Sequence, residues 1–173
     1  MLPDVLEPNL EVVFCGTAVG YRSAQCRAYY AGRGNQFWPV LFRIGLTPRE
    51  LAPNEFHSLP SYGIGLTDLV TGRCGADSSL SKSDFNVSEF RRKMAQFAPR
   101  VIAFNGKRAA QEFYECPVRY GHQAAPVGRT VVFVLPSTSA AARRYWDESY
   151  WIELALFLGK IQDGFYPVAL SPS

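Results

Sequence analysis

The stretch VVFCGTAVG, residues 12–20, constrains this chain more than any other. Four consecutive apolar residues, two of them β-branched, read as a buried strand. Gly16 and Gly20, with small residues between them, end that strand in a tight turn and open a loop. In open α/β sheets, ligands bind at the carboxyl ends of the strands. Glycine there lets main-chain N–H groups approach a ligand closely. The same residues also suit a plain strand-to-loop turn without chemistry, and this segment alone leaves both readings open.

Strand-like and helix-like segments alternate along the rest of the chain. After the glycine turn comes a long polar and aromatic loop, residues 22–36, with Tyr29 and Tyr30 beside Gly32 and Gly34. Long loops in compact domains are usually functional. Residues 37–45, FWPVLFRIG, read as a buried helix capped by Asn35 and closed by Gly45. A second short helix is expected from Thr47, where Thr47 and Glu50 have capping-box spacing and Pro48 suits the first helical position. GIGLTDLV, residues 63–70, reads as a strand that delivers Thr67 and Asp68. The Gly- and Ser-rich run that follows reads as a surface loop. An amphipathic helix over 86–97 presents Phe90, Met94 and Phe97 on one face and ends at Pro99. Then come a strand at 100–106, a helix at 107–114 and a fully apolar last strand at 130–137, expected to be central. Small residues, STSAAAR, lead from it into a final helix over roughly 140–158.

This alternation predicts an α/β fold: a three-layer α/β/α domain around a mostly parallel sheet of about four strands, with helices on both faces. The whole chain, 1–173, reads as one domain, with 164–173 as a loose tail. The parallel arrangement brings the loops after Cys15, Leu66 and Leu135 to one edge. Residues 16–23, Thr67 and Asp68, and residues 137–143 should therefore line one cleft.

Composition limits the partners. A net charge of +3 permits nucleic-acid binding without demanding it. The charge is uneven: Asp4, Glu7 and Glu11 precede any base, whereas Arg91, Arg92, Lys93, Arg100, Lys107 and Arg108 lie in a run without acids. That run reads either as phosphate attraction or as a solvated helix face. The four cysteines form no CxxC pair, and only His57 and His122 offer imidazole, so no metal site is expected. Unpaired, reduced cysteines suit a cytoplasmic protein. No apolar run approaches membrane-spanning length, so no membrane partner is expected.

In their order along the chain, VVFCGTAVG, GNQFWPVLFRIGLTPRELAP, GIGLTDLV and VLPSTSAAAR resemble the uracil-DNA glycosylase superfamily, over about residues 4–158. The likeness is greatest to the branch holding the mismatch-specific uracil-DNA glycosylases and thymine-DNA glycosylases. The resemblance implies a monofunctional glycosylase of base-excision repair. Such an enzyme flips a deaminated base, here uracil, out of DNA and hydrolyses its N-glycosidic bond without a cofactor. Gly16, Thr17 and Ala18 take the place of the family's first motif, Tyr30 that of the base-stacking aromatic, and Asn35 falls in its Asn-x-Phe-Trp segment. Ser137, Ser139, Ala141 and Arg143 take the place of the second motif, which grips and enters DNA, with Ser23 as a further DNA contact. The implied partner is double-stranded DNA containing uracil or another deaminated base, with single-stranded DNA as a second candidate, bound by a monomer. Crowding by Tyr21, Tyr29 and Tyr30 against a 5-methyl group favours uracil.

Two departures matter. Ala18 stands where relatives carry the Asn that holds the attacking water, and Ala141 stands where they carry a larger wedge. Asp68 is the candidate replacement as catalytic group; its other reading is the N-cap of a helix starting at Leu69. The vacancy at Ala18 also supports an alternative function, a protein that binds lesion or abasic DNA and scarcely cleaves it. A third reading, a nucleotide-binding domain with Gly16–Gly20 as phosphate cradle, lacks both the Walker lysine and G-x-G-x-x-G.

Overall fold

The computed structural model describes residues 2–161; the expected loose tail, 164–173, lies outside the described residues. Five strands form one sheet: β1 (Val12–Gly16), β2 (Ile64–Asp68), β3 (Val101–Asn105), β4 (Gly121–His122) and β5 (Val131–Leu135). Their order is β2-β1-β3-β5-β4, parallel except where β4 runs against β5. Side chains alternate between two cores, as the pleat requires. Val12 and Phe14 face one core with Phe37, Trp38, Leu41 and Trp151. Val13 and Cys15 face the other with Phe90, Met94, Ala109 and Phe113. The first core lies under α2 (Phe37–Arg43) and α5 (Glu148–Phe157), and the second under α3 (Val87–Phe97) and α4 (Lys107–Tyr114). This is the three-layer arrangement expected from the alternation.

The sheet differs from expectation at its far edge. β4 has two residues, too few to show any apolar alternation, and it makes β5 an inner strand while β3 is the central one. β5 is nonetheless apolar on both faces, because Phe133 and Leu135 enter one core and Val132 and Val134 the other.

Three helical expectations also change. The long loop opens with a short helix, α1 (Tyr21–Cys26), ended by Arg27 with φ 51°. No helix starts at Thr47; its hydroxyl donates to the Arg49 carbonyl at 2.8 Å. The helical stretch is a 3₁₀ segment, Pro53–Tyr62, in which Glu55 accepts from the Ala52 N–H at 2.8 Å. The capping acid is thus Glu55 and the leading proline Pro53. The final helix is broken in two: a 3₁₀ turn over Ala140–Tyr145, an extended Trp146, and then α5, whose cap is Asp147 accepting from the Ser149 N–H at 3.0 Å.

Register sets the site. Gly16 pairs with Asp68, and Asn105 with Leu135, so the strand ends form one line along the carboxyl edge. Residue 5 covers the outer side of β2 by exchanging hydrogen bonds of 2.8 and 2.9 Å with Leu66.

Candidate active site at the carboxyl ends of the strands

Asp68 is the last residue of β2, and its carboxylate lies against Gly16 of β1. A β-carbon on Gly16 would stand 2.6 Å from Asp68 Oδ1 and 3.5 Å from the Tyr30 hydroxyl. Glycine is needed here for close approach, since no side chain fits between the strand and the carboxylate. No helix starts at Leu69, whose N–H donates to the Gly16 carbonyl at 3.1 Å, so the N-cap reading of Asp68 does not hold. Asp68 is 9% exposed. Burial pushes its carboxyl up to about 7; Asp4 adds to the rise, while Lys93 and the Gly16 N–H oppose it.

The neighbours of Asp68 come from distant segments. Asp4 accepts from the Thr67 hydroxyl at 2.8 Å and pairs with Lys93 of α3 at 2.5 Å. Asp77 comes from the Gly- and Ser-rich loop and accepts from the Thr17 hydroxyl. That loop also holds the first-motif backbone. Val70 N–H donates to the Thr17 carbonyl at 2.7 Å, and Gly75 N–H to the Val19 carbonyl at 2.9 Å. The surface loop expected here is largely exposed and also contacts the Gly16–Gly20 loop. Ala18 is half-buried within it.

Tyr30 adopts φ 52°, an unusual conformation for a tyrosine. Its ring stacks on Phe37 at 4.0 Å between centroids. Burial drives its hydroxyl well above the ordinary range, so it stays neutral beside Asp68 and Asn105. Tyr29, by contrast, turns into the core and donates to the Pro3 carbonyl at 3.0 Å, and Tyr21 is an exposed side chain of α1. Of the three tyrosines expected to crowd a methyl group, Tyr30 alone stands beside Asp68. The N-cap of α2 is Gln36 and not Asn35, because Asn35 lies one residue earlier; its side chain accepts from the Phe37 N–H at 3.0 Å, and with Tyr30, Trp38 and Glu50 it lines a cavity of about 360 Å³.

The second motif is pinned to the strand ends. Asn105 is buried at the end of β3; it donates to the Thr138 hydroxyl at 2.9 Å and accepts from the Thr138 N–H at 3.0 Å. The Thr138 carbonyl accepts from the Gln36 N–H at 2.9 Å, and the Trp151 indole donates to the Pro136 carbonyl at 3.1 Å. Ser139 and Ala141 are exposed, and Ser137 is half-buried with its hydroxyl accepting from the Ser139 N–H at 3.2 Å. Arg143 folds back over Gly34, whose β-carbon would lie 3.0 Å from its guanidinium. Ser23 does not reach this face: it is 6% exposed, and its hydroxyl accepts from the Ala31 N–H at 2.9 Å, closing the turn after α1.

A family model for the uracil DNA glycosylase superfamily matches residues 3–156. The chain belongs to this superfamily. Its fold is also similar to the solution NMR structure of a "putative Uracil DNA glycosylase" from Methanosarcina acetivorans. The TM-score is 0.60 at 22% identity, over 92% of this chain and 96% of that one. The two loops that the resemblance assigns to the superfamily's motifs, Gly16–Gly20 and the loop after β5, follow parallel strands of this sheet.

Charge placement separates the two arginine populations of this superfamily member. Within the basic run from 91 to 108, four cations are held by acids. Arg92 pairs with Glu89, Lys93 with Asp4, Arg100 with Glu11 and Arg108 with Glu112, and Arg91 and Lys107 lie over the Phe113 and Tyr120 rings. Arg22, Arg27, Arg33, Arg143 and Arg144 are exposed and form no ion pair among the described residues. These five come from the segments that follow β1 and β5; Arg119 and Arg129, which flank β4, are likewise exposed without an ion pair among the described residues. Sequence reading missed Asp4, Lys93, Asp77, Asn105 and Thr138. Only the FNG ending of β3 offered a signal, a polar side chain closing an apolar strand.

Proposed function

We propose that the protein is a monofunctional DNA glycosylase that flips uracil out of DNA and hydrolyses its N-glycosidic bond, in the manner of the mismatch-specific branch, with Asp68 as general base. The observation that carries this reading is the Asp68 carboxyl, buried against Gly16 beside the Tyr30 hydroxyl and titrating at about 7. A base whose pKa lies near the working pH is both available and strong enough to take a proton. As the C1′–N bond breaks, its electron pair leaves with the base. A water attacks C1′ and gives its proton to Asp68, and the carboxylate's charge favours the oxocarbenium-like centre. Main-chain N–H groups around Thr17 and Ala18 are the donors for the leaving base, and the Tyr30 ring stacks on it.

Binding to DNA rests on the exposed arginines of the segments that follow β1 and β5, which suit phosphates. The second reading, a lesion binder with little catalysis, is favoured by Ala18, a methyl where a water-holding amide would serve. Uracil release by purified protein, Asp68→Asn and Ala18→Asn separates the two. A catalytic Asp68 predicts release that falls about 10²–10⁴-fold in Asp68→Asn and changes little in Ala18→Asn. A lesion binder predicts no release by the wild type and a gain in Ala18→Asn. A panel of duplexes carrying uracil, hypoxanthine, xanthine or mismatched thymine reads the base preference.

A further inference from the structure

Ala141 offers a methyl group to fill the stack that a flipped base would vacate, a poor wedge for opening a duplex. Just beyond it the 3₁₀ turn ends on Tyr145, which is 54% exposed, with the Arg144 guanidinium 4.7 Å from its ring centroid. Tyr145 lies within electrostatic range of Tyr120. The rings of Tyr120 and Tyr150 are 5.3 Å apart, and Lys107 Nζ stands 4.3 Å over Tyr120. Lys107 follows Gly106, and a β-carbon on Gly106 would meet the Ser137 β-carbon at 3.3 Å. The strip of tyrosines and cations therefore begins at the second motif and runs toward β4. Neither Lys107 nor Arg144 forms an ion pair among the described residues. Of the acids nearby, Asp147 caps α5 and Glu148 is held by Arg43. Glu153 lies beside Gly121 at the far end.

Tyrosine rings interleaved with cations suit bases whose faces are uncovered. In a duplex those faces are already stacked, whereas in a single strand they are free, and each base–aromatic contact stabilises binding appreciably. Flipping from a single strand also needs no wedge, because there is no partner base to separate. We propose that Tyr145, Tyr120 and Tyr150, with Arg144 and Lys107, form a stacking platform for unpaired nucleotides flanking the target, which makes single-stranded DNA the better substrate. The proposal rests on the glycosylase reading above for its kinetic readout, and its binding readout stands apart from that reading.

The experiment compares uracil release from one labelled oligonucleotide, alone and annealed opposite guanine, by wild type, Tyr145→Ala and Tyr145→Phe. Binding of the three proteins to the same strands carrying a stable abasic analogue is measured by fluorescence anisotropy. The platform predicts a kcat/KM about 10-fold or more higher on the single strand. Tyr145→Ala should lower the single-strand value about 10-fold through KM, with the duplex value within about 2-fold of wild type and Tyr145→Phe restoring the preference. A duplex preference in the wild type, or an equal loss on both substrates in Tyr145→Ala, overturns it. If no protein releases uracil, the glycosylase reading fails. The platform then stands or falls on whether Tyr145→Ala weakens single-strand binding selectively.

Discussion

With Asp68 as the proposed general base, its carboxyl ties activity to stability with opposite signs. Its folded pKa, about 7, lies above its ordinary value near 4, so the folded state favours the protonated form. The stability this contributes is whole below about pH 4 and is lost as pH rises to about 7. Asp68→Asn should therefore raise Tm by several degrees at pH 8 and leave it nearly unchanged at pH 4, as thermal unfolding at the two values will read. The base must be ionised to act, so the single-turnover rate of uracil release should climb tenfold per pH unit below about 7 and level off above it. Gly16→Ala provides a second test. With its β-carbon 2.6 Å from Asp68 Oδ1, the carboxylate must move, and release should drop by about 10²-fold while the circular dichroism spectrum stays native. Asp68 could be singled out in the sequence because it ends GIGLT at the edge where the loops after parallel strands converge. The groups that tune it could not, since residue 4 and residue 93 meet only through the fold.

Among elements, the loop after β5 shows why the second motif is rigid although its residues are small. Asn105 satisfies both the N–H and the hydroxyl of Thr138 in a buried setting. Leaving such partners unsatisfied costs about 1–3 kcal/mol each. Asn105→Ala is expected to lower stability by about 2–4 kcal/mol in urea unfolding. Thr138→Val should cost less, because the N–H contact to Asn105 survives. The elements that patterning identified well, β1, β2, β3, α3 and α4, have a run of apolar residues or one clear apolar face. Those it missed are governed by short-range geometry. β4 is two residues long, α1 has one buried residue, Ser23, and the break at Trp146 is made by an Asp147 cap inside an otherwise helical composition.

For the whole molecule, the distribution of ion pairs shows which cations the fold holds to its own acids. The basic run at 91–108 is the most conspicuous charge feature of the sequence, yet four of its six cations are held by Glu89, Asp4, Glu11 and Glu112. A sequence cannot display this, because Asp4 and Glu11 reach α3 and β3 only after the sheet forms. Replacing Arg22 and Arg144 with alanine should weaken binding to an abasic duplex and flatten its salt dependence by about one logarithmic unit of slope per lost phosphate contact. Replacing Arg91 and Arg92 should leave both within about 2-fold. The N-terminal segment that bridges β2 at Val5 has a further role at this scale. β2 is an edge strand, and its exposed backbone groups would otherwise be a template for pairing with another copy of the chain. The same few residues carry Asp4, so the cover that guards against aggregation also holds the carboxylate that raises Asp68. Removing residues 1–5 would join two defects that are usually separate, self-association through an uncovered strand and an active site whose pH optimum slides to the acid side.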